Sequence, residues 1–180
     1  MDSRNLVLIG FMGTGKSTVG RILAAQRRLR YRDTDYEIER RAGCSIADFF
    51  ATRGEAAFRQ LERDVIADLA RPRGIVLATG GGAALDPVNA ACLRAGGLVV
   101  LLRATPDAIL RRVGDTRNRP LLAESSDPQA TIRELLEQRD PAYREAAHCS
   151  VETTNRVMSD VAASVLMLYD ATSHFSQDAS

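Results

Sequence analysis

The stretch Gly10-Phe11-Met12-Gly13-Thr14-Gly15-Lys16-Ser17 follows an apolar run and decides the fold. It matches the pattern G-x-x-x-x-G-K-[ST] of the phosphate-binding P-loop. Lys16 is the one lysine among 24 basic residues, and the other 23 are arginines. A bias toward arginine explains why lysine is rare, but not why the single lysine stands in this motif. The motif therefore predicts a nucleoside triphosphate site between a strand and the following helix.

The residue types of this loop suit phosphate binding. Gly10, Gly13 and Gly15 allow the backbone to approach the phosphates and to turn its N–H groups toward them. The helix that follows offers the positive end of its dipole to the same anion. Lys16 is a compact cation that should reach the β- and γ-phosphates, and Ser17 should be a ligand of Mg²⁺.

The composition predicts a single globular domain. The chain has 180 residues, of which 45% are hydrophobic and 26% charged. The net charge of +1 provides no overall field that would hold nucleic acid or an acidic membrane. The longest apolar stretches, such as residues 98–102, are too short to span a bilayer. We therefore expect one domain over residues 1–171 that binds neither nucleic acid nor membranes.

Cysteine usage and the ends of the chain suggest a compartment. Residues 1–4 lead directly into an apolar run, so a secretory signal peptide is not predicted. Cys44, Cys92 and Cys149 are odd in number and widely spaced, which is typical of free thiols in a reducing cytoplasm. Residues 172–180 are small and polar and are predicted to form a disordered tail.

Apolar runs alternate with segments of helical periodicity along the chain. This alternation indicates a parallel sheet covered by helices on both faces. Right-handed crossovers would place the P-loop at the carboxyl edge of the sheet, where ligands bind. The predicted strands are residues 5–9, 29–33, 75–78, 98–102 and 149–153, and the predicted helices include residues 16–27, 105–113, 130–146 and 157–170.

Three helix starts carry capping signals. Ser45-x-x-Asp48 resembles a capping box, and a helical period continues from there past Gly54. Asp86-Pro87 and Thr105-Pro106 each place a capping residue before a proline at the first helical position. Residues 114–127 lack periodicity and are predicted to form a loop.

Asp33 and Asp35 follow the second strand at the predicted ligand-binding edge. On an extended segment they would point to opposite sides, so one can face Mg²⁺ and the other an acceptor hydroxyl. Capping of the next helix is the structural alternative. The strand 75–78 ends in glycines instead of the aspartate of a Walker-B strand, which favours Asp33 for the metal.

The remaining candidate residues are glycines and arginines. Gly80-Gly81-Gly82 allows a small polar ligand to approach the backbone closely, although a simple turn explains it equally well. Any one arginine in this chain is more often a solvated surface charge. Arg119-Pro120-Leu121-Leu122 suggests a lid that excludes water and carries a cation to the transferred phosphoryl group.

Taken in order, these motifs resemble the shikimate kinase family from about residue 6 to residue 165. The P-loop alone is shared with many families, whereas the ordered set is specific. The motifs are GFMGTGKST at residues 10–18, DTD at 33–35, SIADFFATRGEAAFR ending at Arg59, GGG at 80–82, RPLL at 119–122 and RDPAYREAA from Arg139.

The resemblance implies a fold similar to that of nucleoside monophosphate kinases. This is a three-layer αβα fold with a five-stranded parallel sheet, an acceptor-binding region at about residues 33–61 and a mobile lid at about 114–127. The implied reaction is transfer of the γ-phosphoryl group of ATP to the 3-hydroxyl of shikimate, in aromatic amino-acid biosynthesis. One Mg²⁺ ion would accompany ATP, and a monomeric, cytoplasmic enzyme is expected.

The resemblance also implies roles for individual residues. Asp33 would hold Mg²⁺ through water, together with Ser17. Lys16, Asp35 and Arg119 would be catalytic, with Asp35 as the base and Arg119 on the lid. Shikimate would be bound by Asp35, Arg59, Gly80, Gly81, Gly82 and Arg139. ATP would be bound by Gly13, Thr14, Gly15, Lys16, Ser17, Thr18, Arg112, Arg119 and Arg156.

Two other functions are compatible with a P-loop. A kinase of the same fold could act on gluconate or on a nucleoside monophosphate, but a phosphate acceptor should require more basic residues than two convergent arginines. A nucleotide-sensing module without catalysis would have little use for both Asp35 and a lid arginine.

Overall fold

The protein, as a computed structural model, is described over residues 4–114, 122 and 125–174. Within these residues a five-stranded, fully parallel sheet has the order β2-β3-β1-β4-β5. The expected sheet is therefore confirmed. The strands are β1 (Asn5–Ile9), β2 (Arg30–Asp33), β3 (Ile75–Ala78), β4 (Gly97–Arg103) and β5 (Cys149–Glu152). The helices are α1 (Lys16–Arg27), α2 (Thr34–Ala42), α3 (Ile46–Ala70), α4 (Pro87–Gly96), α5 (Pro106–Val113), α6 (Pro128–Ala146) and α7 (Met158–His174).

The helices form a layer on each face of the sheet. Alternate residues of β1 serve the two faces, with Val7 and Ile9 on one and Leu6 and Leu8 on the other. The first face is covered by α2, α3, α4 and α6, and the second by α1 and α7. Both faces of the central strands are buried, as expected for a parallel sheet.

The capping signals are confirmed. The Ser45 hydroxyl accepts a hydrogen bond from the amide of Asp48, and the Thr105 hydroxyl accepts one from Ala108. The Asp86 carboxylate accepts from the amides of Val88 and Asn89 at the start of α4. Helix α3 continues through Gly54, whose non-helical backbone (φ 76°, ψ 172°) marks a kink.

The carboxyl-terminal part of the chain differs slightly from the sequence-based expectation. Helix α7 ends at His174, later than the predicted end at Asp170, so the first residues of the predicted tail are helical. Residues 175–180 lie outside the described residues. Leu122, from the predicted loop at 114–127, is buried against Phe11 and Ile132. Among the described residues, no helix combines the length and apolar character needed to span a bilayer.

Asn5 ties together the amino-terminal edge of the sheet. Its side chain is 1% exposed, and its amide nitrogen donates to the carbonyls of Ala70 (3.2 Å) and Pro72 (2.5 Å). Its side-chain oxygen accepts from the Ile75 amide at 3.1 Å. One side chain therefore joins the start of β1 to the end of α3 and the start of β3.

We predict that Asn5→Ala lowers the free energy of unfolding by about 2–4 kcal/mol, because buried backbone groups lose their partner. Urea denaturation followed by circular dichroism measures the change. Gln60→Ala is the control, since Gln60 makes an exposed hydrogen bond to Asp64 and its loss should change stability by less than about 0.5 kcal/mol. Equal effects of the two substitutions would contradict the bridging role of Asn5.

Candidate active site

The P-loop wraps around the side chain of Lys16. Its ammonium group donates to the carbonyls of Gly10 and Phe11, both at 2.8 Å, and the residue is only 9% exposed. Gly10 has φ +134°, and a Cβ atom there would lie 2.4 Å from the Leu102 carbonyl oxygen. Gly15, at φ +92°, precedes the first turn of α1. The loop can thus be built only with glycine at these positions.

Asp33 lies beside Ser17 at the end of β2. The Ser17 hydroxyl donates to Asp33 Oδ2 at 3.2 Å, and the Tyr31 hydroxyl donates to the same oxygen at 2.8 Å. Asp33 Oδ1 accepts from the Asp35 amide at 3.1 Å, so Asp33 also caps α2. The capping interpretation of Asp33 is therefore confirmed, and the same carboxylate lies beside the Ser17 hydroxyl. Burial and the bond to Asp33 raise the pKa of Tyr31 to about 12, which keeps its hydroxyl a donor.

The prediction of an extended segment from Asp33 to Asp35 is wrong. Helix α2 begins at Thr34, so Asp35 stands in its first turn and not on a strand. The two carboxylates still face different partners, because the chain turns between them. The Thr34 hydroxyl, which is fully buried, accepts from the Gly80 amide at 2.8 Å. This bond brings the start of α2 against the glycines that follow β3.

Asp35 contacts Gly80 directly. A Cβ atom at Gly80 would lie 2.4 Å from Asp35 Oδ1, so only glycine leaves room for this carboxylate. Asp35 is exposed to solvent. Desolvation by the surrounding protein and the negative charge of Asp33 nevertheless raise its pKa to about 6, against the lowering effect of Lys16. A carboxylate with this pKa is a better proton acceptor than an ordinary aspartate.

Arg59 lies at the other end of the three glycines. A Cβ atom at Gly82 would be 3.3 Å from Arg59 Nη1. The same nitrogen donates to Glu62 at 2.9 Å, and Glu55 lies 3.3 Å from Nη2. Glu62 is 2% exposed, and burial raises its pKa. Sequence reasoning missed Glu62, although an acid one helical turn after Arg59 on the apolar face of α3 could have indicated it.

Arg139, on α6, lies beside the P-loop. Its guanidinium carbon lies 5.3 Å from the centroid of the buried Phe11 ring, a cation–π geometry. The neighbouring Tyr143 hydroxyl donates to the Gly81 carbonyl at 2.5 Å. Burial raises the pKa of Tyr143, and the positive charge of Arg139 opposes this shift. Arg139 therefore lies on Phe11 of the P-loop and beside Tyr143, whose hydroxyl is bonded to the glycine turn.

The two arginines predicted to bind the adenine side of ATP are held by hydrogen bonds to the protein. Arg112 donates to the Gly13 carbonyl (3.3 Å) and to the hydroxyl (2.9 Å) and carbonyl (2.5 Å) of Thr153, so it joins the P-loop to the segment after β5. Arg156 donates to the carbonyls of Glu152 and Asp160 and to the Ser164 hydroxyl.

Two P-loop threonines and the lid arginine complete the predicted set. The buried hydroxyl of Thr14 donates to the Phe11 carbonyl at 2.8 Å, which stabilises the loop itself. Thr18 is exposed in the first turn of α1. The predicted lid cation, Arg119, lies outside the described residues.

The donor set at Ser17 and Asp33 suits a hard cation that is only partly bound by protein. A hydroxyl and a carboxylate are oxygen ligands, which Mg²⁺ prefers, and Mg²⁺ usually takes its other ligands from phosphates and water. Over the described residues, no group of three or more acidic, histidine or cysteine side chains forms a complete metal site. The pair therefore fits a metal that arrives with a nucleotide.

Comparison with known proteins identifies the family. The family model for shikimate kinase matches residues 12–169. The shikimate kinase of Thiobacillus denitrificans is 48% identical over 165 residues, covering 92% of this chain and 88% of that protein. The shikimate kinase of Pseudomonas entomophila is 51% identical over 153 residues, covering 85% of this chain and 88% of that protein.

Solved structures agree with these relatives. Shikimate kinase from Acinetobacter baumannii in complex with shikimate superimposes with a TM-score of 0.89 at 40% identity, covering 94% of both chains. Shikimate kinase from Aquifex aeolicus gives a TM-score of 0.78 at 30% identity, covering 94% of this chain and 98% of the other. The chain belongs to the shikimate kinase family.

Proposed function

We propose that this protein transfers the γ-phosphoryl group of ATP to the 3-hydroxyl of shikimate, giving shikimate 3-phosphate and ADP. As a shikimate kinase it is an ATP-dependent phosphotransferase with an alcohol acceptor, and it belongs to the pathway that leads to the aromatic amino acids. One observation carries the assignment to residues. Asp35 and Arg59 contact opposite ends of the glycine turn 80–82, and Arg139 lies on Phe11 of the P-loop beside Tyr143, which is bonded to Gly81.

Two arginines suit the carboxylate of the acceptor. Arg59 is fixed by the buried Glu62, and Arg139 by the Phe11 ring, so neither must be ordered anew when an anion binds. Planar guanidinium groups can each donate two parallel hydrogen bonds to a carboxylate. The glycine turn beside Arg59 allows a small ligand to approach the backbone. A monoanionic polyhydroxy acid such as shikimate fits this combination.

Asp35 suits the hydroxyl side of the acceptor. In the proposed step the Asp35 carboxylate accepts the proton of the 3-hydroxyl of shikimate. The oxygen of that hydroxyl bonds to the γ-phosphorus of ATP, and the bond from this phosphorus to the ADP oxygen breaks. A pKa of about 6 leaves the group mostly ionised at neutral pH while making it a stronger base than a free aspartate. Its contact with Gly80 fixes its position.

The phosphate side is assigned to the P-loop and its neighbours. Lys16, held inside the loop by two carbonyls, would place its charge against the transferred phosphoryl group. Ser17 and Asp33 would hold one Mg²⁺ ion, Asp33 through water. When bound, that ion would neutralise charge on the β- and γ-phosphates.

Assignments farther from the glycine turn belong to the same proposal. Arg112 would contact the adenine side of ATP next to Gly13, with Arg156 in a second adenine loop. Arg119 would meet the γ-phosphate from a lid at about residues 114–127. We also propose a monomer in the cytoplasm that binds neither nucleic acid nor membranes. The free thiols of Cys44, Cys92 and Cys149 support a reducing compartment.

ADP formation by the purified protein with MgATP tests the proposal directly. The assay compares no acceptor, shikimate, gluconate and a panel of nucleoside monophosphates. Stimulation by shikimate alone is expected. Stimulation by another acceptor would reassign the substrate, and nucleotide binding without stimulation by any acceptor would favour a sensing module.

We predict that Asp35→Asn lowers kcat by about 10²–10⁴-fold, because the amide cannot accept the proton. ATP affinity should stay nearly unchanged, since Asp35 lies on the acceptor side. Steady-state kinetics and calorimetric ATP titration measure the two effects. Asp64→Asn, which alters an exposed acid of α3, is the control. Unchanged turnover in Asp35→Asn would remove Asp35 as the base.

The raised pKa of Asp35 also predicts a pH-dependent effect on stability. A carboxyl group with a raised pKa in the folded state favours folding when protonated, and this contribution is lost as pH rises through about 6. Asp35→Asn stays neutral, so its Tm should equal that of wild type near pH 4 and exceed it above pH 7. Thermal unfolding across this range measures the difference. A constant difference at all pH values would contradict the shift.

For wild type, we predict that kcat/KM for shikimate falls as pH decreases below about 6, because protonated Asp35 cannot act as a base. The limiting decrease is about tenfold per pH unit for one essential group. Initial rates at saturating MgATP give the profile. A profile that is flat between pH 5 and 7 would contradict the assignment.

We predict that Arg139→Ala raises the KM for shikimate by about 10–100-fold, the effect of losing a charge-assisted pair of hydrogen bonds. ATP affinity should change little. Arg144→Ala is the matched control, because Arg144 lies on the same helix, is well exposed and pairs with Asp140. Equal weakening of ATP and shikimate binding in Arg139→Ala would show that Arg139 is not an acceptor-specific clamp.

A further inference from the structure

Tyr31 is fixed in β2 by two contacts of its ring. The ring packs on α1 at Gly20, where a Cβ atom would lie 2.7 Å from the ring carbon Cε2. On α1 the guanidinium carbon of Arg21 stands 5.3 Å from the ring centroid. These contacts leave the phenol hydroxyl pointing along the strand toward Asp33, two residues later on the same side.

The Asp33 carboxylate is held by three donors. Oδ2 accepts from the Tyr31 hydroxyl at 2.8 Å and from the Ser17 hydroxyl at 3.2 Å, which uses both of its lone pairs. Oδ1 accepts from the Asp35 amide at 3.1 Å and keeps one lone pair. Rotation of the carboxylate would therefore break bonds to three separate elements: β2, α1 and α2.

This arrangement also orients Ser17. Because the Ser17 hydroxyl gives its proton to Asp33, the lone pairs of its oxygen are left for a cation. The Tyr31 hydroxyl is a donor toward Asp33 and holds the accepting oxygen in place. Without it, Asp33 could turn toward other donors, and the orientation of the Ser17 hydroxyl would no longer be fixed.

We propose that Tyr31 is a positioning residue for the divalent cation. Its hydroxyl locks the Asp33 carboxylate so that Ser17 offers its oxygen directly and Asp33 offers Oδ1 to a metal-bound water. The inference rests on the proposed metal role of Ser17 and Asp33. Partners of metal-binding groups of this kind typically contribute 10–100-fold to metal affinity.

Tyr31→Phe tests the hydroxyl, because it keeps the ring that packs on Gly20 and under Arg21. Tyr169→Phe is the matched control: it removes a tyrosine hydroxyl from α7, in the hydrophobic cluster against which Tyr31 packs, and this hydroxyl donates to the Arg4 carbonyl at 2.7 Å before β1. Ser17→Ala is the reference for loss of a direct ligand. Binding of Mn²⁺ to each protein with saturating ADP is measured by electron paramagnetic resonance, and metal-free ADP binding by calorimetry.

The expected result is Mn²⁺ binding about 10-fold weaker in Tyr31→Phe, with metal-free ADP affinity and Tm close to wild type. Tyr169→Phe should bind Mn²⁺ as wild type does. Unchanged Mn²⁺ affinity in Tyr31→Phe, with clear weakening in Ser17→Ala, would overturn only the role of Tyr31. Equal loss of metal-free ADP affinity would make that role merely structural and overturn it too. If Ser17→Ala bound Mn²⁺ as tightly as wild type, the proposed metal site itself would be wrong.

Discussion

The register of the parallel sheet is the constraint on which the candidate site depends. Ala78 of β3 pairs with Leu8 of β1 on one side and with Asp33 of β2 on the other. Three strands therefore end within one row, and the segments that follow them meet at one edge. The P-loop, the start of α2 and the glycine turn 80–82 come from distant parts of the sequence, yet this pairing makes them neighbours. A shift of one residue in either ladder would separate the carboxylates from the loop.

The site gathers charges that do not favour folding by themselves. The negative charges of Asp33, Glu62 and Glu39 all raise the pKa of Asp35, and only Lys16 among its main neighbours lowers it. Arg59 stabilises Glu62 in a nearly dry position. The cluster is held in place by hydrogen bonds of the elements around it. Thr34 is bonded to Gly80, and Tyr143 is bonded to Gly81. The structure thus holds a carboxylate of raised pKa in place with bonds between neutral groups, which do not titrate near pH 7.

The P-loop, the five parallel strands and most helix starts could be predicted from the sequence, because glycine spacing, apolar runs and capping residues are local signals. The contacts of Asp35 could not. Its position in a helix depends on Asp33 serving as a cap, and its contact with Gly80 joins residues 45 positions apart in the chain. The roles of Glu62 and Tyr31 could not be predicted for a similar reason. An acid on α3 and an aromatic residue on β2 indicate no function until their partners are known. Local chemistry predicts elements, whereas long-range packing decides which side chains meet.

Lys16 gives the chain a single site for amine-specific chemistry. It carries the only side-chain amine in 180 residues, and that amine lies inside the nucleotide loop. Reagents that acylate or alkylate amines therefore have a single internal target, and a lysine-specific protease has one site of cleavage. The extent of labelling at this position reports how open the loop is, free of background from other lysines. Because the chain has no other lysine, side-chain amine labelling of this protein measures the accessibility of its phosphate-binding loop alone.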